Sequence, residues 1–204
     1  MTGGTTDTTS ERTGRPAGPR SEAREQALLE AALELVMEVG YDRMSMDALA
    51  ERAKAGKATI YRHWSGKAEV VTEAIRRRKG ERVDTPVDTG SLRGDLLLAM
   101  DRIGNSLSAE DGALMAGVMS AMRSDPVLAE LMRTQVFENK WGWLDQIVEL
   151  AVRRGELPPG STADLVHEVL PALVVTRLVI TGEPITGTFA THVVDDIVVP
   201  LLNR

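Results

Sequence analysis

The strongest local pattern in this 204-residue chain lies at residues 44–67, MSMDALAERAKAGKATIYRHWSGK. Ser45 can begin a short helix there, because a serine side chain accepts a hydrogen bond from a free N–H group of the first turn. A break at residues 53–56 is followed by a second short helix over residues 57–64. Two short helices joined by four residues predict a helix-turn-helix.

The second of these helices has two chemically different faces on a helical wheel. Ile60 and Trp64 are four residues apart, so they share one face and are expected to pack against the preceding helices. Ala58, Thr59 and Arg62 lie on the opposite face. Arg62 can pair with a guanine, and Ala58 can contact a thymine methyl group. We therefore expect this helix to enter the major groove of DNA.

Side chains that can donate hydrogen bonds to phosphate oxygens surround this face. Ser45 lies at a helix N-terminus, where free N–H groups favour an anion. The other candidates for phosphate contacts are Lys54, Lys57, Thr59, Tyr61, His63 and Lys67.

The charge of the chain is unevenly distributed. The total is 24 basic against 30 acidic residues, a formal net charge of −6, which by itself does not suggest a nucleic-acid partner. Residues 1–82 contain 15 basic and 13 acidic residues, a net of +2, whereas residues 83–204 contain 9 and 17, a net of −8. Positive charge is therefore concentrated in the part that contains the helix-turn-helix. The basic run at residues 76–79 is explained equally well by the dipole of a helix C-terminus.

Periodic apolar residues predict helices along the rest of the chain as well. Gly40 and Gly155 are placed to end helices, and Asp125 followed by Pro126 is placed to begin one. β-branched residues and Pro171 leave a strand open as an alternative near the C-terminus, although the length of the apolar run favours helix. The expected helices cover residues 21–39, 45–53, 57–64, 67–82, 92–107, 113–122, 126–154, 163–181 and 188–201.

The helix-turn-helix residues closely resemble the DNA-binding domain of TetR-type transcriptional regulators. The resemblance extends over about 40 consecutive residues, from the first helix to Lys67, and the spacing of residues 61–64 from Lys67 is its most diagnostic part. It implies a larger C-terminal helical domain that binds a small molecule and dimerises through its last two helices. Two positions depart from the family pattern, because Lys54 stands where Gly is usual and Gly56 where a Ser or Thr cap is usual.

We therefore predict an all-α fold in three parts. Residues 1–20 form a flexible basic arm, residues 21–82 the helix-turn-helix domain with its linker helix, and residues 83–204 the regulatory and dimerisation domain. In the arm, Arg15 and Arg20 resemble the minor-groove arginines of an AT-hook-like extension, and a disordered basic tail is the alternative.

The resemblance directs attention to an effector site and a dimer interface in the C-terminal domain. The effector is expected to be apolar, and the candidate residues that line its pocket are Met115, Met119, Met122, Phe137 and Trp141, with Trp143 as a further candidate. At helical spacing these side chains fit a hydrophobic core equally well. Trp141 and Trp143 cannot share a helix face, so at most one is expected inside. The predicted interface stripes are Leu165, Val169 and Leu173 on one helix and Phe189, Val193, Ile197 and Leu201 on the other. His167 and Arg177 are expected to meet a partner or the interface rather than a ligand.

Several other functions are disfavoured by composition. The chain has no cysteine, and its three histidines have no metal-type spacing, so we expect no disulfide, metal site, cofactor or catalytic constellation. Its longest apolar stretch is too short to span a bilayer and its start lacks a signal-peptide core, which predicts a soluble cytoplasmic protein. The predicted function is a homodimeric repressor that binds a palindromic operator and is released by an effector. A helical protein-interaction adaptor and a DNA-binding activator without an effector remain as alternatives.

Overall fold

The computed structural model describes residues 19–80, 88–137 and 142–204. Every regular element in these three ranges is helical, which confirms the all-α prediction. The α-helices are α1 (Pro19–Val39), α2 (Met46–Arg52), α3 (Lys57–His63), α4 (Lys67–Gly80), α5 (Leu92–Ser106), α6 (Ala109–Ala121), α7 (Pro126–Leu131), α8 (Gly142–Arg154), α9 (Asp164–Val175), α10 (Thr188–His192) and α11 (Val199–Leu202).

Within the described ranges, three stretches continue an α-helix as π-helix. They follow α7, α9 and α10 and comprise Met132–Phe137, Thr176–Thr181 and Val193–Val198. The two helices expected near the C-terminus are therefore present, each with a π-helical part, and the alternative of a strand there is wrong. The long helix expected from Pro126 to Arg154 is present on both sides of residues 138–141, which lie outside the described residues.

The helix ends and caps around the helix-turn-helix lie where the sequence predicts them. Gly40 follows the last residue of α1 with a φ of +82°, a left-handed conformation that glycine adopts readily. The Ser45 hydroxyl accepts a hydrogen bond of 3.1 Å from the Ala48 N–H and so caps α2. Lys54 takes a φ of +48° in the turn, and Gly56 precedes α3 without a side-chain cap.

A first hydrophobic core joins the helix-turn-helix to part of the C-terminal half. From α1 to α4 it contains the fully buried side chains of Leu29, Leu49, Ile60 and Ile75, among others. The same core continues into α6, α7 and the π-helical stretch after α7. Its members there are Leu114, Met115, Val118, Ala121, Leu128, Met132 and Val136. We call this cluster the first core.

The remaining helices pack around a second core, whose described members all lie between residues 92 and 202. They come from α5, α8, α9, α10, α11 and the π-helical stretch after α10. The largest include Leu96, Met100, Trp143, Leu144, Ile147 and Leu170. The described part of the chain thus has two cores, and the helices of the helix-turn-helix belong to the one that also includes α6 and α7.

Two glycines let helices approach neighbouring backbone closely, Gly112 at a π-helical stretch and Gly104 at the loop before α10. A Cβ atom on Gly112 of α6 would lie 2.5 Å from the Leu178 carbonyl oxygen, and one on Gly104 of α5 would lie 2.0 Å from the Ile185 carbonyl oxygen. Both distances are far below van der Waals contact. Glycine is therefore required for α6 to pack directly against the π-helical stretch after α9. Within the described residues, no helix combines the length and apolarity needed to cross a membrane.

Candidate DNA-binding surface

The two faces of α3 are as the helical wheel predicts. Ile60 is completely buried and Trp64 is 6% exposed, so both anchor α3 in the first core. Ala58 and Arg62 are exposed on the outer side, and Thr59 is half-buried beside them. The helix therefore presents a small side chain, a hydroxyl and a guanidinium group together to an approaching ligand.

The exposed cations next to α3 differ in what they contact. The Lys57 ammonium group forms an ion pair of 2.7 Å with Asp47 of α2, and the hydrogen bond and charge of Asp47 raise the pKa of Lys57. Lys54 extends from the left-handed turn and is exposed. Tyr61 is 52% exposed and His63 is also exposed. Asp47 therefore pairs with Lys57 at the surface beside α3, a contact that the sequence pattern did not reveal.

Lys67 has a structural role that sequence reasoning missed. Its ammonium group donates hydrogen bonds of 3.0 Å to the Tyr41 carbonyl and 3.2 Å to the Asp42 carbonyl. It also lies 4.4 Å from the centre of the Tyr41 ring, a favourable cation–π distance. Lys67 therefore fastens the start of α4 to the turn between α1 and α2.

A buried tyrosine links this same turn to the C-terminal half. The Tyr41 hydroxyl donates a hydrogen bond of 2.6 Å to the Asp125 carboxylate, which also accepts hydrogen bonds of 3.0 Å from the N–H groups of Val127 and Leu128. Burial and the bond to Asp125 raise the pKa of Tyr41 far above its usual value. The hydrogen bond from Tyr41 is the main cause that lowers the pKa of Asp125.

Ion pairs make a second connection along α4. The Arg78 guanidinium group pairs at 2.9 Å with Asp111, a nearly buried residue that also forms the capping box of α6 with Ser108. One residue earlier, Arg77 pairs with Glu25 of α1 and with Glu73. Helix α4 is therefore tied to α1 on one side and to α6 on the other. Arg77 and Arg78 belong to the basic run at residues 76–79, for which the dipole of a helix C-terminus was an equally good explanation.

The candidate effector residues are not equally buried. Met115 is 4% exposed within the first core, Met122 and Phe137 pack against it in half-buried positions, and Met119 is 38% exposed. Trp143 lies in the second core, and Trp141 lies outside the described residues.

The outer face of α9 and the π-helical stretch after it retains exposed apolar side chains. Leu165 is 47% exposed and Ile180 is 75% exposed. The other predicted interface residues are half-buried, namely Val169, Leu173, Phe189, Ile197 and Leu201, except for the buried Val193.

Both polar residues singled out near the C-terminus have partners within the chain. The His167 Nε2 atom lies 2.7 Å from an Asp145 carboxylate oxygen. Arg177 pairs with Glu183 and stacks 4.6 Å from the Phe189 ring. Among the described residues, no group of three or more histidine or acidic side chains is arranged to hold a metal ion.

Two protein-family models match the chain. The model described as bacterial regulatory proteins, tetR family, matches residues 28–74. The model described as tetracyclin repressor-like, C-terminal domain, matches residues 86–197. The first match covers the helix-turn-helix, and the second covers most of the rest of the chain.

Individual proteins agree with these matches. An uncharacterised HTH-type transcriptional regulator of Mycobacterium tuberculosis is 34% identical over 177 residues, 83% of each chain. The DNA-binding transcriptional repressor TetR of Mycobacteroides abscessus is 35% identical over 164 residues, 80% of this chain and 86% of that one. Among solved structures, Salmonella enterica GusR superposes with a TM-score of 0.72 at 16% identity, covering 94% of this chain and all of that one. The last comparison concerns the fold alone.

Proposed function

The chain belongs to the TetR family of DNA-binding transcriptional regulators, which are not enzymes, and we propose that it is a homodimeric repressor released from a palindromic operator by a small apolar effector. It would act in the cytoplasm, where the DNA is. Its working parts would be the DNA-binding domain at residues 21–82 and the regulatory domain at residues 83–204. Residues 1–20 would add a basic arm, of which all but the last two residues lie outside the described part.

The observation that carries this proposal is the two-faced helix α3. Its anchors, Ile60 and Trp64, are buried, so the exposed side chains of Ala58 and Arg62 have a fixed direction. We assign base readout to these two residues, with Arg62 on a guanine. We assign phosphate contacts to Ser45, Lys54, Lys57, Thr59, Tyr61, His63 and Lys67. Lys57 would exchange Asp47 for a phosphate. Lys67 would either release its two carbonyl partners to reach a phosphate or contact the phosphate while it keeps them.

A variant of Arg62 tests whether this residue contacts a base of the operator. The operator is first obtained by in-vitro selection, and binding is then measured by fluorescence anisotropy. We expect Arg62→Ala to cost about 1–3 kcal/mol on the selected site and to relax its preference at one base pair. Arg133→Ala is the matched control, because Arg133 is an exposed arginine of the C-terminal half that pairs with Glu130. Equal affinities and equal preferences for the two variants would contradict the assignment.

We further propose that the last helices form the dimer interface. Exposed Leu165 and Ile180, near the two ends of the segment formed by α9 and the stretch after it, support this, because a four-helix interface needs apolar side chains that the chain itself does not cover. The dimer would place two copies of α3 about 34–36 Å apart, in successive major grooves. In ultracentrifugation, Leu165→Lys should shift the protein toward monomer. Val127→Lys, a control at a 60% exposed position on α7, should leave the dimer unchanged. A wild-type protein that is monomeric at all concentrations would refute this part.

For release by an effector, we propose a site near Met115, Met119, Met122, Phe137 and Trp141. Met115 and its half-buried neighbours belong to the first core or pack against it, and this core includes the DNA-binding helices. An effector that prefers one arrangement of this core would change DNA affinity by shifting populations. A compound screen by thermal shift, followed by DNA release, tests this step. A ligand that stabilises the protein without changing its DNA affinity would contradict it.

A further inference from the structure

A groove that the sequence did not predict lies between α1 and α3. Its volume is about 330 Å³. Helix α1 contributes Arg24, Glu25 and Leu28 to one side. The other side and the floor are formed by Thr59, Arg62, His63 and Trp64. The groove therefore opens next to the exposed face of the recognition helix.

The net charge of the side chains that line this groove is positive, because Arg24 and Arg62 outnumber Glu25. Glu25 forms an ion pair with Arg77, and Arg77 also pairs with Glu73. Arg24 is exposed, and its guanidinium group has no hydrogen bond or ion pair with any other described residue. Among the described residues neither Arg24 nor Arg62 has an acidic partner, and Arg62 only approaches the His63 ring at 3.5 Å. The hydroxyl of Thr59 adds a hydrogen-bond donor to the same groove.

The groove is also held rigidly. Leu28 is 3% exposed and Trp64 is 6% exposed, and both belong to the first core. Arg24 precedes Leu28 by one helical turn, so it lies above it on the same face of α1. The backbone position of Arg24 relative to α3 is therefore fixed by buried packing before any ligand arrives. A cation whose backbone position is already fixed loses less entropy on binding than one on a mobile segment.

We propose that this groove receives the sugar–phosphate backbone of the operator and that Arg24 is a phosphate-contacting residue on α1. The inference rests on the proposed entry of α3 into the major groove, whose two walls are rows of phosphates. The side of α3 that carries Thr59, Arg62 and His63 faces α1 across the groove. A DNA strand on that side must pass Arg24. A guanidinium group binds a phosphate with paired, charge-assisted hydrogen bonds.

The test compares Arg24→Ala, Arg24→Lys and a control in the full chain. Arg153→Ala is the control, because Arg153 is an exposed arginine on α8 whose ion pair with a described residue is a long surface contact of 3.7 Å with Glu149. Affinity is measured for the selected operator and for an unrelated duplex, across a range of salt concentrations. Arg24→Ala should weaken both complexes to a similar extent, about 5- to 10-fold, and reduce the slope of log affinity against log salt by about one. Arg24→Lys should keep the salt slope, because the charge remains, but should lose part of the affinity, because an ammonium group cannot form the paired hydrogen bonds.

Other outcomes overturn the inference in distinguishable ways. If Arg24→Ala behaves like Arg153→Ala while Arg62→Ala weakens binding, Arg24 has no role and the proposed function stands. If Arg24→Ala affects the selected operator alone with an unchanged salt slope, the contact is to a base and not to a phosphate. If inorganic phosphate stabilises the wild type but not Arg24→Ala, and DNA affinity is unchanged, the groove is a site for a free anion. A wild type without salt-dependent DNA binding refutes the proposed function itself.

Discussion

The two hydrophobic cores relate to the DNA-binding helices in different ways. The first core contains side chains of α1–α4 together with α6, α7 and the stretch Met132–Phe137, whereas the second core draws its described members from residues 92–202. Close-packed side chains transmit displacement because they leave little free volume. The DNA-binding helices are therefore packed into one body with α6 and α7, and that body meets a second one formed by α5 and α8–α11.

This difference shows where a regulatory movement would act. The contacts between the turn after α1 and α7, and between α4 and α6, are specific hydrogen bonds and ion pairs, as in the bond from Tyr41 to Asp125 and the pair of Arg78 with Asp111. They fix α6 and α7 to the DNA-binding helices. We expect a change of DNA affinity to involve movement between the two cores, with α6 and α7 following the DNA-binding helices.

The largest effect is expected from a buried carboxylate at the edge of the second core. Asp95 is completely buried and accepts hydrogen bonds from the Thr89 N–H at 2.6 Å and the Thr89 hydroxyl at 2.7 Å, and it forms an ion pair with Arg154. Burial raises its pKa, but these hydrogen bonds and the charge of Arg154 hold the pKa of Asp95 below its usual value. Asp95→Ala should cost about 4 kcal/mol in urea unfolding, because two Thr89 donors lose their buried acceptor and Arg154 keeps only its partners Asp88 and Glu156, which are less buried.

A neighbouring carboxylate provides the control for this variant. Asp88 also pairs with Arg154, at 3.3 Å, but its side chain is 61% exposed, so Asp88→Asn should cost less than about 1 kcal/mol. Asp95→Ala should accelerate amide hydrogen exchange in α5 and α8 more than in α1–α3. Equal loosening of all helices would mean that the two cores unfold as one unit and would remove the basis of the comparison.

Two leucine variants compare the cores directly. Leu128 on α7 and Leu170 on α9 are both essentially unexposed, the first in the first core and the second in the second. Each change to alanine should cost about 3 kcal/mol, because it leaves a cavity. Leu128→Ala should accelerate hydrogen exchange in α1 and α4 although it lies in the C-terminal half, and Leu170→Ala should leave them protected. The same exchange pattern in both variants would contradict the division into two cores.

The hydrogen bond between Tyr41 and Asp125 should have an intermediate effect. Tyr41→Phe removes the hydroxyl but keeps the ring, and Asp125 keeps its bonds to the N–H groups of Val127 and Leu128. We expect a loss of about 1.5 kcal/mol, since a hydrogen bond to a charged group contributes more than a neutral one. If an effector is found, the variant should also show a smaller effect of that effector on DNA affinity. An unchanged effector response would mean that this contact does not couple the two halves.

The loss in Tyr41→Phe should depend on pH in a defined direction. The bond from Tyr41 lowers the pKa of Asp125 in the folded state, so it favours the ionised carboxylate. Its contribution is complete above the unfolded pKa of about 3.9 and disappears as the pH falls through the lower, folded value. The difference in unfolding free energy between wild type and Tyr41→Phe should therefore be constant above about pH 5 and shrink in acid. A difference that grows in acid would contradict this assignment.

Sequence patterns predicted those features that depend on neighbouring residues. The cap at Ser45, the left-handed Gly40 and the buried pair of Ile60 and Trp64 follow from hydrogen bonds and spacings within a few residues, and the structure contains all of them. Contacts between distant residues left no such trace. Tyr41 and Asp125 are 84 residues apart, and nothing in either local sequence specifies the other.

The use of each cation was also beyond local pattern. Lys67 has the residue type and spacing of a phosphate contact, yet in the structure it binds two backbone carbonyls. Arg24 stands in an ordinary helical segment, and its position in the groove depends on how α1 packs against α3. Residue type predicted which side chains can bind phosphate, whereas tertiary packing determines which of them are available.

The smallest effect, and one of opposite sign, is expected at the turn of the helix-turn-helix. Lys54 has a φ of +48°, a conformation that costs a residue with a Cβ atom about 1 kcal/mol or more. Lys54→Gly relieves this cost but adds conformational entropy to the unfolded chain, so the expected net gain in stability is about 0.5 kcal/mol. Lys54→Ala keeps the strain and should leave stability unchanged.

Both variants remove the same cation, so both should weaken DNA binding to a similar extent. If amide hydrogen exchange in Lys54→Gly becomes slower in α2 and α3 and stays unchanged in α8 and α9, the stabilisation is confined to the first core. A gain in stability for both variants would instead mean that repulsion from neighbouring cations, and not backbone strain, destabilises the turn.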